Sequence, residues 1–345
     1  MWAEEEAVVA GISITDASQA VPVGPPPPFD PELEPALAAM SSRGGMVLSL
    51  ELIPAIRRAP SPFPAPTLEE LRRGGAFEVS ERLVPGPAGA PEISLLICRP
   101  TAAEAPVACL YFIHGGGMIM GDNRSGGFPG AVAHAEKLGV ALVSVEYRLA
   151  PETPHPGPVE DCYAGLVWTV EHADELGIDP ARGIVGGASA GGGLAAAVAL
   201  LARDRGGPDL LAQMLLCPML DDRNETPSSY QMAGLGVWDR GANEVGWTAL
   251  LGAARGGLDV SPYAAPARAT DLSGLPPAFI DVGSAETFRD EDVAYATGIW
   301  QAGGQAELHV WPGGFHGFTG MVPDAAISKA ATAAQQTWLR RILAG

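Results

Sequence analysis

Apolar residues along most of the chain fall into short unbroken runs, separated by stretches with helical spacing. Runs at residues 93–98, 107–113, 140–146, 183–186, 211–217, 279–282 and 307–311 have the length of strands. Tyr111-Phe112-Ile113 and Ala141-Leu142-Val143-Ser144-Val145 scarcely alternate with polar residues, which suits strands buried on both faces. Helical patterns occupy residues 126–138, 159–172, 190–203, 289–302 and 324–343. Strand alternating with helix predicts an α/β fold: a mostly parallel sheet, helices on both faces, right-handed crossovers. No internal repeat is evident.

Two stretches break the pattern. Residues 1–76 are irregular, with a proline run at Pro25 to Pro28, more prolines at Pro60, Pro62, Pro64 and Pro66, and short helical candidates at 31–40 and 68–73. They form either a cap over the main domain, residues 77–345, or a loose arm. Residues 221–266 hold no strong strand but carry Tyr230, Met232, Trp238 and Trp247. An insertion this long in a compact domain usually has a role. It is expected to be a second cap piece, with Met118, Met232, Trp238 and Trp247 as candidates for lining a pocket.

Composition narrows the function. With 345 residues, 47% of them hydrophobic and 18% charged, the chain can bury a large core. A formal net charge of −19 repels phosphate backbones, so nucleic acid is not an expected partner. The cysteines Cys98, Cys109, Cys162 and Cys217 form no CxxC pair and sit at no zinc-binding spacing, so neither a disulfide framework nor a metal site is expected. The start, MWAEEEAVVAG, is acidic where a secretory signal is basic, and no apolar run has the length of a membrane span. A cytoplasmic protein is expected.

The chemistry lies at the ends of predicted strands. Gly187-Ala188-Ser189-Ala190-Gly191 follows one strand and opens a helix, the setting that a G-x-S-x-G nucleophile requires. Small neighbours let the chain turn sharply, so the Ser189 hydroxyl projects above a helix N-terminus that favours negative charge. His114-Gly115-Gly116-Gly117 directly follows another strand and offers backbone N–H groups unshielded by a Cβ. These suit the oxyanion of an acyl intermediate, with Gly115, Gly116 and Ala190 as donors. Of six histidines, only His316 sits on a late loop at a strand's C-terminal end, and its natural pKa suits a general base. His114 reads as scaffold. Glu286 occupies the loop after the strand at 279–282 and is the expected partner of His316, with Asp290 as the alternative. The order Ser, acid, His is that of the α/β hydrolases.

Together HGGG, G-x-S-A-G, the late His-Gly-Phe, Glu146-Tyr147-Arg148-Leu149-Ala150-Pro151-Glu152 and Phe288-Arg289-Asp290-Glu291 resemble the hormone-sensitive-lipase group of bacterial carboxylesterases, over about residues 106–318. The resemblance implies an eight-stranded α/β-hydrolase core, a helical cap, short- to medium-chain acyl esters as substrates, no cofactor, and a possible homodimer. Two positions depart from the group: Ala188 stands where Asp or Thr is common, and Glu286 where Asp is common. The expected activity is ester hydrolysis through an acyl-enzyme on Ser189. An acyltransferase or amidase with the same triad, and a non-catalytic binding protein on the same fold, are the competing readings.

Overall fold

The computed structural model describes residues 23–42, 48–61 and 64–345. The acidic start, and the other parts of segment 1–76 at residues 43–47 and 62–63, lie outside that description. Eight strands form one sheet: β1 (Phe77–Val84), β2 (Ile93–Pro100), β3 (Val107–Ile113), β4 (Ala141–Glu146), β5 (Ile178–Ala188), β6 (Ala212–Leu216), β7 (Ala278–Gly283) and β8 (Ala306–Trp311). Their order is β1-β2-β4-β3-β5-β6-β7-β8. β2 runs antiparallel to both of its neighbours, and the six strands from β4 to β8 are parallel.

The uninterrupted apolar runs are explained by a core on each face. Tyr111 and Ile113 of β3 point into one, with Val143, Val185, Leu215 and Ile280. Leu110 and Phe112 point into the other, with Leu142, Ile184, Met214 and Phe279. Because the period along a strand is two, neighbours in sequence serve opposite cores. The edge strand β1 departs from the sequence expectation, since Phe77-Glu78-Val79-Ser80-Glu81-Arg82 mixes charge into the run and Glu78, Glu81 and Leu83 are exposed.

The helices are α1 (Glu34–Ser42), α2 (Ile53–Arg58), α3 (Leu68–Leu71), α4 (Phe128–Leu138), α5 (Gly157–Glu171), α6 (Ala173–Leu176), α7 (Ala190–Arg205), α8 (Pro227–Gln231), α9 (Arg240–Leu251), α10 (Arg289–Gln301), α11 (Phe318–Met321) and α12 (Ala326–Leu343). Among them α7 is buried from Ala190 to Ala202. Its glycines would each cost about 1 kcal/mol against alanine in an exposed helix. Here they admit close neighbours: a Cβ on Gly193 would lie 2.1 Å from the Met219 carbonyl oxygen. The α7 N-terminus is thereby seated beneath the loop leaving β6.

The irregular stretches lie against the C-terminal ends of the strands. Asp30 N–H donates to the Gly313 carbonyl at 3.0 Å, and Leu33 packs with Phe315 and Phe318. From α2, Arg57 donates to the Ile119 and Ala150 carbonyls at 2.6 and 2.5 Å and pairs with Glu152. In the 221–266 stretch, Gln231 donates to the Pro25 carbonyl at 3.1 Å, joining the two irregular pieces.

Candidate active site

β5 ends at Ala188, and Ser189 takes φ 58°, ψ −124°. That left-handed backbone is rarely adopted by a non-glycine residue and stores local strain. The surroundings hold it. Ser189 N–H donates to the Leu216 carbonyl at 2.8 Å, and its own carbonyl accepts Gly193 and Met219 N–H, each at 3.0 Å. The flanking glycines are needed for space: a Cβ on Gly191 would lie 2.0 Å from the Ile113 carbonyl oxygen, and one on Gly187 2.2 Å from that of Gly191. Ser189 therefore stands at the N-terminus of α7, 8% exposed.

His316 lies on the loop after β8, between Gly313 and Gly317, both at positive φ. Its Nε2 is 2.9 Å from Ser189 Oγ, and its Nδ1 is 2.5 Å from Glu286 Oε1. A carboxylate only accepts, so Nδ1 carries the proton and Nε2 accepts from the serine hydroxyl. The second Glu286 oxygen accepts Gly283 N–H at 3.2 Å. The Phe288 ring stands edge-on to the imidazole, 5.2 Å between centroids. Backbone bonds stitch the two loops: Ser284 N–H to Trp311 carbonyl at 2.8 Å and Ala285 N–H to Gly314 carbonyl at 3.1 Å. Asp290 is engaged elsewhere, accepting Ser228 N–H and the Arg289 guanidinium, each at 2.7 Å. Of the two acids expected from sequence, Glu286 meets His316.

The glycine run differs from expectation. Gly115 N–H donates to the Gly126 carbonyl at 2.9 Å, so it is not free to bind an oxyanion. Its lack of a side chain serves close packing instead, since a Cβ there would lie 3.3 Å from Ser189 Cβ. Gly116 (φ 116°) and Gly117 (φ 62°) adopt left-handed conformations, and among the described residues their N–H groups have no acceptor. Gly117 is not among the donors expected from sequence, although it belongs to the same run. His114 is scaffold, as expected. It is buried, stacked on Tyr147 at 4.2 Å, and burial holds its pKa down at about 4. Tyr147 OH donates to the His114 carbonyl at 3.0 Å, which gives the tyrosine of the Glu146–Glu152 motif a structural task.

The pocket candidates divide. Trp238 packs on the glycine loop: a Cβ on Gly117 would lie 2.2 Å from its ring. Its carbonyl accepts the Thr287 hydroxyl at 2.6 Å, next to Glu286 in sequence. Trp247 and Met118 share the core cluster that also holds Trp238, and Met232 is buried, so at 0–2% exposure these three line no open surface in this conformation. Helix α9 presents Trp247 inward together with Leu250, one turn on.

Behind the acid lies a concentration of buried carboxyls. Glu291 Oε1 accepts Leu220 and Asp221 N–H at 2.7 and 3.1 Å, pinning the loop after β6. Neither Asp292 oxygen has a partner among the described residues, and burial raises the pKa of both acids. Asp281 accepts from Gln335 and Trp311, and burial lifts it to about 6. No metal-ligand cluster is expected from the spacing of cysteines and histidines. The fold nevertheless gathers one ligand atom from each of Cys217, Glu286 and His316 within 4.8 Å of one another. The sequence signal was position: Cys217 closes a predicted strand, at the same end of the sheet as Ser189.

The chain is similar to known α/β hydrolases. The family model described as alpha/beta hydrolase fold matches residues 110–320. The carboxylesterase NlhH of Mycobacterium tuberculosis is 38% identical over 274 residues, covering 76% of this chain and 81% of the relative. Esterase LipI of the same organism is 37% identical over 312 residues, covering 87% and 91%. A solved bacterial heroin esterase superposes with TM-score 0.81 at 40% identity, covering 91% of this chain and 98% of its own.

Proposed function

The chain belongs to the α/β-hydrolase family, in its hormone-sensitive-lipase-like group of carboxylesterases, and on that premise we propose that it hydrolyses carboxylic esters with Ser189, His316 and Glu286 as its catalytic triad. The observation that carries the triad is the continuous hydrogen-bonded path from Ser189 Oγ through His316 to Glu286. His316 Nε2 takes the hydroxyl proton as Oγ attacks the ester carbonyl. The oxyanion is held by the N–H groups of Gly116, Gly117 and Ala190, where Gly117 replaces the engaged Gly115. His316 returns the proton to the leaving alcohol, then activates the water that releases the acid. Glu286 fixes the tautomer and stabilises the imidazolium. Support for a cap built from segments 1–76 and 221–266 comes from Arg57 on the Ile119 loop and Trp238 on Gly117. With Trp238 bounding the glycine loop, we assign short- to medium-chain acyl esters. Among the described residues no helix is long and apolar enough to cross a membrane, and the cysteines are unpaired. Free thiols suit the cytoplasm.

Ser189→Ala is expected to lower kcat for p-nitrophenyl butyrate by about 10⁴-fold or more while leaving thermal unfolding near that of the parent. Turnover within tenfold of the parent rejects Ser189 as the nucleophile.

A further inference from the structure

Cys217 has no part in acyl transfer, yet it stands beside the groups that do. It follows β6, takes a left-handed φ of 38°, and donates its N–H to the Asp281 carbonyl at 2.7 Å. This turn sets its thiol between the ends of β5 and β7. The ligand atoms of Cys217, Glu286 and His316 lie within 4.8 Å of one another. A cavity of about 20 Å³ adjoins Cys217 and Glu286, bordered also by Asp281, Gly317, Phe318 and Gln335. That volume holds roughly one water-sized guest.

We propose that Cys217, Glu286 and His316 form an inhibitory site for a thiophilic divalent cation, of which Zn²⁺ and Cd²⁺ are the representatives. The donor set is thiolate, carboxylate and imidazole, the three protein ligands of zinc. Metal–ligand bonds of about 2.0–2.3 Å place tetrahedral ligands roughly 3.5 Å apart. The cluster needs side-chain movements of about 1 Å to close on a cation. A soft sulfur ligand selects against Mg²⁺ and Ca²⁺, which take oxygen. On binding, the thiol proton leaves to solvent as the Sγ–metal bond forms, and Glu286 exchanges its hydrogen bond from His316 for the metal. Ligation at Nδ1 leaves the imidazole proton on Nε2, and ligation at Nε2 uses the lone pair itself. Either way His316 no longer accepts the Ser189 proton. Burial and the Glu286, Asp281 and Asp292 carboxylates push the Cys217 thiol well up, so the metal-free protein holds it protonated. The inhibitory consequence rests on the triad reading above; cation binding does not.

The test is titration of the full chain, freed of metal with EDTA, with Cd²⁺ alone, following the ultraviolet thiolate-to-cadmium band and, in parallel, hydrolysis of p-nitrophenyl butyrate. One Cd²⁺ per chain with a thiolate band is expected, absent in Cys217→Ser, and with no Mg²⁺ uptake. Glu286→Gln keeps the thiol and is expected to weaken Cd²⁺ binding by about 10–100-fold, which decides the matter even if the cysteine variant does not fold. No band in the parent, an equal band in Cys217→Ser, or unchanged affinity in Glu286→Gln overturns the site. Hydrolysis should fall with Cd²⁺ occupancy and return on adding EDTA. A Cys217-dependent band with undiminished hydrolysis overturns the inhibition. A parent with no hydrolysis before Cd²⁺ is added counts against the esterase reading, and the thiolate band then decides the site by itself.

Discussion

The Ser189 side and the Glu286 side of the site are built from different physics. Around Ser189 the constraint is steric. The backbones of β3, β5 and α7 approach so closely that a Cβ on Gly191 or Gly187 would overlap a carbonyl oxygen, and the strained φ of Ser189 is held by three main-chain hydrogen bonds. Around Glu286 the constraint is electrostatic. Asp281, Glu286, Glu291 and Asp292 are all nearly buried, and the Asp292 carboxyl is left without a partner among the described residues. A nucleophile is positioned by where the chain can pass; its acid is positioned by which charges the interior tolerates.

Substitutions can break this contrast, and the largest effect falls on the electrostatic side. Glu286→Gln keeps the shape but offers His316 Nδ1 an amide, so kcat is expected to drop by about 10⁴-fold with KM little changed. Asp290→Asn, one turn away on α10, is expected to stay within about threefold of the parent, because its bonds go to Ser228 and Arg289. Steady-state kinetics on the pair decide it, and a collapse in Asp290→Asn alone would transfer the acid's role.

On the steric side, Gly191→Ala removes no polar group yet must displace the Ile113 carbonyl, 2.0 Å from the new Cβ. Loss of about 3 kcal/mol is expected, with reduced turnover in whatever remains folded. Urea unfolding reads it, and a change below about 0.5 kcal/mol would show that the elbow has slack.

The smallest effect comes from Asp292. Its folded pKa is raised by burial above the ordinary 3.8. Below that value both folded and unfolded states hold the proton. As pH rises above it, the unfolded chain releases the proton first, so this group's contribution to stability falls until the folded carboxyl also titrates. Asp292→Asn should remove this component, at most about 1.4 kcal/mol per pH unit. Unfolding free energies at pH about 4.5, about 6 and about 7.5 should show a flatter profile in the variant; parallel profiles contradict a raised Asp292 pKa.

The same contrast governs what could be read from sequence. The sheet was legible because parallel strands covered on both faces leave continuous apolar runs, and β1 was not, because Glu78, Glu81 and Arg82 interrupt its run. The meeting of Ser189, His316 and Glu286 was legible because each follows a predicted strand in a distinctive local motif. The engagement of Gly115 N–H was not, since it depends on a hydrogen bond to Gly126 further along the chain. Cys217 beside Glu286 was not either: the register of β5, β6 and β7 is what aligns their ends. Trp247 reads as pocket lining because an aromatic in an insertion suggests a ligand, whereas α9 turns it into the core.

The account rests on Ser189 being an activated nucleophile, and a p-nitrophenyl phosphonate tests that directly by trapping the attacking oxygen. Peptide mapping after stoichiometric treatment should find one phosphonyl adduct, on Ser189, formed in step with loss of ester hydrolysis and absent in Ser189→Ala. An unlabelled Ser189 with hydrolysis intact, or an adduct on a different residue that tracks the loss of activity, would contradict it.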